Sequence, residues 1–339
     1  MRVTPTTSVF PAAVLVLSML YLHGSQVTAA PAAAQAQPAP PTQAMVLVGK
    51  DYWLFPGWGS LTKVDTKGIE QSTALIQSAR DALARRHIEL DVVVLPEKAL
   101  FYADKLPPEK ELSNAVRGRY RDILTSLTRA GVRSFDVEQV MQGVMARGED
   151  VYYRTDQHWT QAAADATASA TADMVRQTNA NLAGQAGSGM KLGAQTTERR
   201  YGDMAELFLT PAQRTSAGRE TFKVRREATG RSLLEDAPAP VHVTGHSMVQ
   251  PYFGYPQKLS EQLDRPVSVN WRPGNVGPWI MLLEYVESAA FKQHPPQVLV
   301  WQMFEPTYAY GPQATGMWDN ASIMPADTWR TRVQAATRP

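Results

Sequence analysis

The chain of 339 residues contains no cysteine. That absence excludes a thiol nucleophile, thiolate metal ligands and disulfide staples, so burial alone must hold the fold. Charge of one sign is also missing: 34 Lys and Arg face 32 Asp and Glu, which gives no electrostatic case for nucleic acid. No His, Asp or Glu spacing resembles a zinc site such as His-Glu-x-x-His, and neither a metal nor a cofactor is expected. No internal repeat or heptad pattern is present. The apolar run near the start, Phe10 to Leu22, falls short of the roughly 18 to 20 residues needed to span a bilayer.

That run follows a single charge, Arg2, and precedes the small-residue stretch Val27-Thr28-Ala29. The pattern predicts a cleaved secretory signal over residues 1–29, rather than a retained membrane anchor, and hence an exported protein. Residues 30–44 are almost all Ala, Pro, Gln and Thr, a composition that cannot repay its ordering entropy and predicts a linker. About 295 residues remain, enough for one large core. The eight tryptophans either fill that core or stack on sugar faces, and core filling is the expectation for any one of them.

Five stretches read as buried strands: Asp91 to Leu95, Val132 to Val137, Pro240 to Thr244, Pro266 to Asn270 and Gln297 to Phe304. Runs such as Val92-Val93-Val94-Leu95 suit parallel strands covered on both faces. Helical patterns run from about Gly68 to His87, Pro108 to Ala130, Thr160 to Asn181 and Gly277 to Gln293. Alternating helices and strands predict an α/β fold, a mostly parallel sheet flanked by helices in three layers, over residues 45–310. Residues 183–230, rich in Gly, Thr and Arg, suggest an insertion or lid, and residues 311–339 a C-terminal tail.

Two short segments carry the chemistry. In Asp156-Gln157-His158-Trp159-Thr160 the acid and the imidazole are two residues apart, so in an extended segment both leave the same face. Thr160 is placed to cap the helix that follows. Gly245-His246-Ser247 follows a predicted strand directly, at the carboxyl end where open α/β sheets hold ligands. An alkoxide needs a positioned base, and the base needs a carboxylate to fix its tautomer. Ser247, His158 and Asp156 supply these three parts, with Gly245 permitting a close turn and backbone N–H groups after Ser247 available to an oxyanion. His246 is a second candidate base, disfavoured because adjacent residues in a turn point apart. His242 reads as a packed core histidine, and His87 and His294 as helix-end cations.

In these and further segments the chain resembles the periplasmic alginate O-acetyltransferases of the J and X types, whose domain is a permuted SGNH hydrolase fold. The matching pieces are Gly49-Lys50-Asp51-Tyr52-Trp53-Leu54-Phe55, Val93-Val94-Leu95-Pro96-Glu97-Lys98, Asp156-Gln157-His158-Trp159-Thr160, Tyr201-Gly202-Asp203-Met204, Gly245-His246-Ser247 and Val298-Leu299-Val300-Trp301. His246 and Met248 stand where the family has Thr and Tyr, and Gln302 where it has Glu.

The resemblance implies that Asp156 orients, His158 acts as base, and Ser247 takes an acetyl group and passes it to a hydroxyl of an exopolysaccharide. It further implies a periplasmic location and a membrane-bound O-acyltransferase partner that delivers the acetyl group. The chain ends soon after its last strand, which fits the J-type arrangement, without the carbohydrate-binding module of the X type. Arg272 is a candidate contact for a uronate carboxylate or for the oxyanion region. Tyr252 and Lys98 are further candidates for that pocket, and Asn270 or Asn275 for a side-chain oxyanion donor. An acetyl esterase with the same triad, or a polysaccharide-binding scaffold without catalysis, would share these residues.

Overall fold

The computed structural model describes residues 45–227 and 238–338. The expected signal 1–29 and linker 30–44 lie outside the described residues, as does the end of the 183–230 stretch. The strands in chain order are β1 (Val46–Val48), β2 (Leu54–Pro56), β3 (Glu89–Leu95), β4 (Leu192–Arg200), β5 (Glu220–Glu227), β6 (Val241–Gly245), β7 (Val267–Trp271) and β8 (Val298–Phe304). The helices are α1 (Thr66–Ala84), α2 (Lys98–Phe101), α3 (Asn114–Arg129), α4 (Val137–Met145), α5 (Gln161–Thr178), α6 (Asp203–Phe208), α7 (Pro211–Ala217), α8 (Tyr255–Leu263), α9 (Pro278–Glu287), α10 (Ala289–Gln293) and α11 (Ala326–Ala336).

Four strands form one parallel sheet in the order β3-β8-β6-β7. The central strands β6 and β8 are buried at every position, as their apolar runs require when helices cover both faces. Helices α1 and α9 pack on the sheet and on α11, and α4, α5 and α8 form a second group. The fold is thus α/β, with a parallel sheet flanked by helices. The sheet's carboxyl ends, at Leu95, Gly245 and Phe304, open onto the loops that carry the candidate residues. Two antiparallel pairs, β1 with β2 and β4 with β5, lie outside this sheet.

One expected strand is not one. Val132 to Val137 contributes a single bridge, Arg133 opposite Asp91, with the Val92 N–H donating to the Arg133 carbonyl at 2.9 Å. Asp136 then accepts from the Gln139 N–H at 2.9 Å and starts α4 at Val137, so an N-cap overrides the β-branched run. Asp136→Ala should therefore cost about 1 kcal/mol of stability, read as a lower urea midpoint at unchanged slope.

Caps also trim the helices. Ser113 begins the second of them at Asn114 instead of Pro108, and Ser288 splits the expected 277–293 helix into α9 and α10 by accepting from the Phe291 N–H. The stretch 311–339 is more than a tail, because its helix α11 buries Trp329. The Trp329 ring lies 5.2 Å from Trp279 and 6.1 Å from Trp301. Six of the eight tryptophans are buried; only Trp58 and Trp271 are half-buried. Core filling is where this aromatic surface goes.

Candidate active site

The acid and base sit on a bend, not on the extended segment that their spacing suggested. Residues 152–159 close on themselves through the Tyr152–Trp159 bridge and the Tyr153 N–H donating to the His158 carbonyl. Within the bend Asp156 Oδ1 accepts twice from His158, from the backbone N–H at 2.9 Å and from ring Nδ1 at 2.6 Å. A short polar side chain that binds the backbone two residues on makes such a turn locally stable. After it, the Thr160 hydroxyl accepts from the Ala163 N–H and starts α5.

Three supports fix this bend from outside. Lys98, fully buried, donates to the carbonyls of Leu54, Tyr153, Arg154 and Asp156 at 2.7, 2.6, 3.1 and 3.0 Å. Glu220 accepts from the N–H groups of Arg154 and Thr155, each at 2.8 Å. Gly202 packs on Thr155 so closely that a Cβ would stand 2.4 Å from its carbonyl. Only glycine lets the chain approach here, and the approach delivers Asp203, whose N–H donates to Asp156 Oδ2 at 2.9 Å.

Ser247 arrives from the other side of the fold. It follows β6 and opens a 3-10 turn, Ser247–Val249, rather than an α-helix; the next α-helix begins at Tyr255. Its Oγ lies 2.8 Å from His158 Nε2. The turn's N–H groups of Val249 and Gln250 are used within it, while those of Ser247 and Met248 meet no acceptor among the described residues. The Trp159 indole donates to the Met248 carbonyl at 2.9 Å, tying the two segments together. Phe253 stacks on the His158 ring at 4.5 Å, and the Gln250 amide nitrogen lies 3.5 Å from His158 Nε2.

Charges around the imidazole follow from this packing. Burial opposes ionisation of Asp156, but the His158 charge, the His158 hydrogen bonds and the donors of Asp203 outweigh it and hold the carboxyl well below the usual range. Burial also works against a charged His158, yet the Asp156 charge and hydrogen bond, with Asp203 behind them, raise the imidazole above its ordinary value. Asp203 itself is pushed up to about 6 by burial and by the Asp156 charge, against the pull of His158. With Nδ1–H held by an ionised carboxylate, Nε2 is left to accept the Ser247 proton.

The three ligand-type side chains Asp156, His158 and Asp203 come within 4.8 Å of one another. Their facing atoms are already engaged by N–H donors, since Asp156 accepts from His158 and Asp203, and Asp203 accepts from the Gln157 N–H at 2.9 Å and its side-chain amide at 2.6 Å. Such a set suits a hydrogen-bonded relay better than a cation.

The other candidates scatter. Gly245 backs onto Gln302, whose Oε1 accepts from the His246 N–H at 3.1 Å, so the residue that departs from the family's Glu holds the serine turn. Burial together with the His158 charge lowers His246 to about 4. Tyr252 stays near the site, accepting from Arg200 Nε at 3.1 Å and donating to Glu198 at 3.0 Å. Lys98 lies under the acid's loop, where burial pulls its amine down to about 7. Asn270 donates one amide N–H to the Met281 carbonyl at 2.9 Å, and its oxygen accepts from His242 at 2.8 Å. His242 also meets Ser268 at 2.7 Å and stacks 3.3 Å over Tyr285, a satisfied core histidine. Arg272 and Asn275 are exposed, Arg272 paired with Glu284 at 3.0 Å.

Sequence reading assigned no role to Asp203, Arg200 or Gln250. Asp203 was visible as part of Gly202-Asp203, the pair that the family pattern singles out; Arg200 and Gln250 had no local signal.

With this geometry in view, the comparisons are specific. The family model of the SGNH hydrolase-like domain of the acetyltransferase AlgX matches residues 46–305. A protein named probable alginate O-acetylase AlgJ, from Pseudomonas putida, is 31% identical over 275 residues, covering 77% of this chain and 69% of the relative. The solved O-acetyltransferase domain of Pseudomonas putida AlgJ superposes with a TM-score of 0.70 at 25% identity, covering 86% of this chain and 98% of that one. Pseudomonas aeruginosa AlgX shares the fold with a TM-score of 0.56 at 21% identity, over 78% and 66% of the two chains.

Proposed function

Because this chain belongs to the family of AlgX, the SGNH hydrolase-like acetyltransferases, we propose that it is an O-acetyltransferase working through an acetyl-serine at Ser247. The observation that carries the residue roles is one line of contacts: Asp156 Oδ1 to His158 Nδ1 at 2.6 Å, and His158 Nε2 to Ser247 Oγ at 2.8 Å. In the first half-reaction Ser247 Oγ attacks the acetyl carbonyl of the donor while its proton passes to Nε2. The imidazolium so formed is held by Asp156 and then protonates the departing group. In the second, Nε2 takes the proton of an acceptor hydroxyl, whose oxygen attacks the acetyl-serine, and the imidazolium returns that proton to Ser247 Oγ as its ester bond breaks. We assign the oxyanion in both steps to the N–H groups of Ser247 and Met248, which meet no acceptor among the described residues, an interaction of about 3 to 4 kcal/mol of barrier in comparable sites.

The acceptor we assign is an exopolysaccharide hydroxyl, alginate-like in view of the relatives' names. The donor partner is a membrane-bound O-acyltransferase, since the space outside the cytoplasm supplies no activated acetate. Export rests on the signal pattern of residues 1–29; among the described residues no helix is long and apolar enough to cross a membrane.

The test uses purified protein, a chromogenic acetyl ester as donor and an oligosaccharide as acceptor. Acetylated sugar is the expected product. Free acetate alone, in the presence of saturating acceptor, would replace this reading by an acetyl esterase. Normal oligosaccharide binding with no acyl-enzyme by mass spectrometry would replace it by a scaffold.

A further inference from the structure

Two charged side chains outside the proposed triad, both on the segment that joins β4 to α6, approach its acid and base. Asp203, at the start of α6, has Oδ2 at 3.5 Å from His158 Nδ1, and its own N–H donates to Asp156 Oδ2. Arg200, at the end of β4, has Nη2 at 3.7 Å from Asp156 Oδ2. Both are fixed. Asp203 accepts from the backbone N–H and the side-chain amide of Gln157. Arg200 lies with its guanidinium carbon 3.8 Å from the Phe222 ring centre and donates to Tyr252 and to the Tyr201 carbonyl. Two of the three guanidinium nitrogens are thereby held within the fold, and the third faces Asp156.

We propose that Asp203 and Arg200 are positioning residues of opposite sign, which bracket the Asp156–His158 couple and together set how readily its imidazole takes up the Ser247 proton. The inference rests on the triad roles given above. Acyl transfer requires a base strong enough to accept the serine proton, yet weak enough to stay neutral at working pH and to return the proton to the leaving group. The Asp203 carboxylate favours the imidazolium directly across 3.5 Å. The Arg200 cation disfavours it and stabilises the Asp156 carboxylate. Burial keeps both interactions stronger than they would be in water, although Arg200, about one-third exposed at 32%, is partly screened.

The electrostatic directions agree with this division. Asp203 raises His158 and Arg200 lowers it. The other charged or titratable groups facing the couple are Lys98 from α2, Glu220 from β5, His246 after β6, and Tyr153 and Tyr252. Lys98, pulled to about 7, titrates within the pH span of the experiment and itself feels Asp203. His158 must therefore be observed directly.

The experiment measures kcat/KM for a chromogenic acetyl ester against pH, and follows His158 in parallel by imidazole NMR, in the full chain. The base is active when neutral, so activity falls as pH drops through the His158 value, which lies above that of an ordinary histidine. Asp203→Asn should move this acidic limb down by roughly one pH unit, and Arg200→Gln should move it up by roughly half a unit. The double variant should return close to wild type. A purely structural role would lower the plateau in either variant and leave both midpoints in place, and that result, or a shift of both in one direction, would overturn the proposal. Should Asp203→Asn not fold, the upward shift in Arg200→Gln still decides, because that side chain is partly exposed. Ser247→Ala separates the two levels: an active Ser247→Ala protein sinks the triad, whereas an inactive one beside unmoved limbs sinks the bracket alone.

Discussion

Ser247→Ala should give a folded protein that forms no acetyl-enzyme and whose kcat/KM falls by roughly 10⁴-fold or more, about 5.4 kcal/mol of lost barrier reduction. The reason lies in the contacts of one oxygen. Ser247 Oγ is 5% exposed by residue and has the His158 Nε2 contact at 2.8 Å; alanine keeps the backbone turn and deletes the attacking atom. Stability should change by only about 1 kcal/mol, since one hydrogen bond is lost and no cavity larger than an oxygen is made. His158→Ala should cost a similar factor, and the double variant little more than either, because members of such a unit act together. Intact-protein mass spectrometry after mixing with an acetyl ester reads the outcome directly. Retained turnover in Ser247→Ala, or an acetyl adduct on another residue, would place the nucleophile elsewhere.

Lys98→Met should be the most damaging change to stability, at about 3 to 5 kcal/mol, corresponding to a fall in Tm on the order of 10 °C. The ammonium of Lys98 donates to four carbonyls, three of them on the bend 153–156 that carries the acid. Methionine fills comparable volume without a donor, so the loss is that of hydrogen bonds to buried carbonyls and not of packing. Activity should fall as well, because the Asp156 carbonyl is one of the four anchors and the geometry of the bend depends on them. Scanning calorimetry and a urea titration measure the first effect. An unchanged midpoint would mean that water satisfies these carbonyls and that the lysine is dispensable to the loop.

How much of this was legible beforehand differs between fold and site. The apolar runs of β3, β6 and β8 were readable because a strand buried on both faces needs a continuous apolar stretch, and the helices α1 and α5 because their faces repeat every three to four residues. The failure at Val132 to Val137 came from local competition: β-branched residues favoured a strand, while the Asp136 cap and one available edge on β3 allowed only a bridge. The stretch after the last strand looked like a tail because its helix is short and polar on one side; Trp329 is buried only because Trp279 and Trp301 leave a place for it.

For the site, the residues themselves determined that an acid, an imidazole and a hydroxyl were available on a loop before a helix and after a strand. Family likeness added which of them to pair. The tertiary structure alone decided the distances, since Ser247 and His158 lie 89 residues apart and meet through the fold. It also decided the assignments that side-chain chemistry left open. Asn270 and Asn275 are equal as amides, yet one is held between His242 and Met281 and the other stands in solvent. Lys98 could have been a substrate contact, and it is a buried clamp. Arg200 looks like an ordinary surface charge in the chain and Asp203 stands out only through its pairing with Gly202; they flank the Asp156–His158 couple because Gly202 permits close approach and Phe222 supplies a ring for Arg200 to rest on. Periodicity encodes which face is buried; the partner that each buried polar group finds depends on chain segments far away in sequence, and that information exists only once the chain has folded.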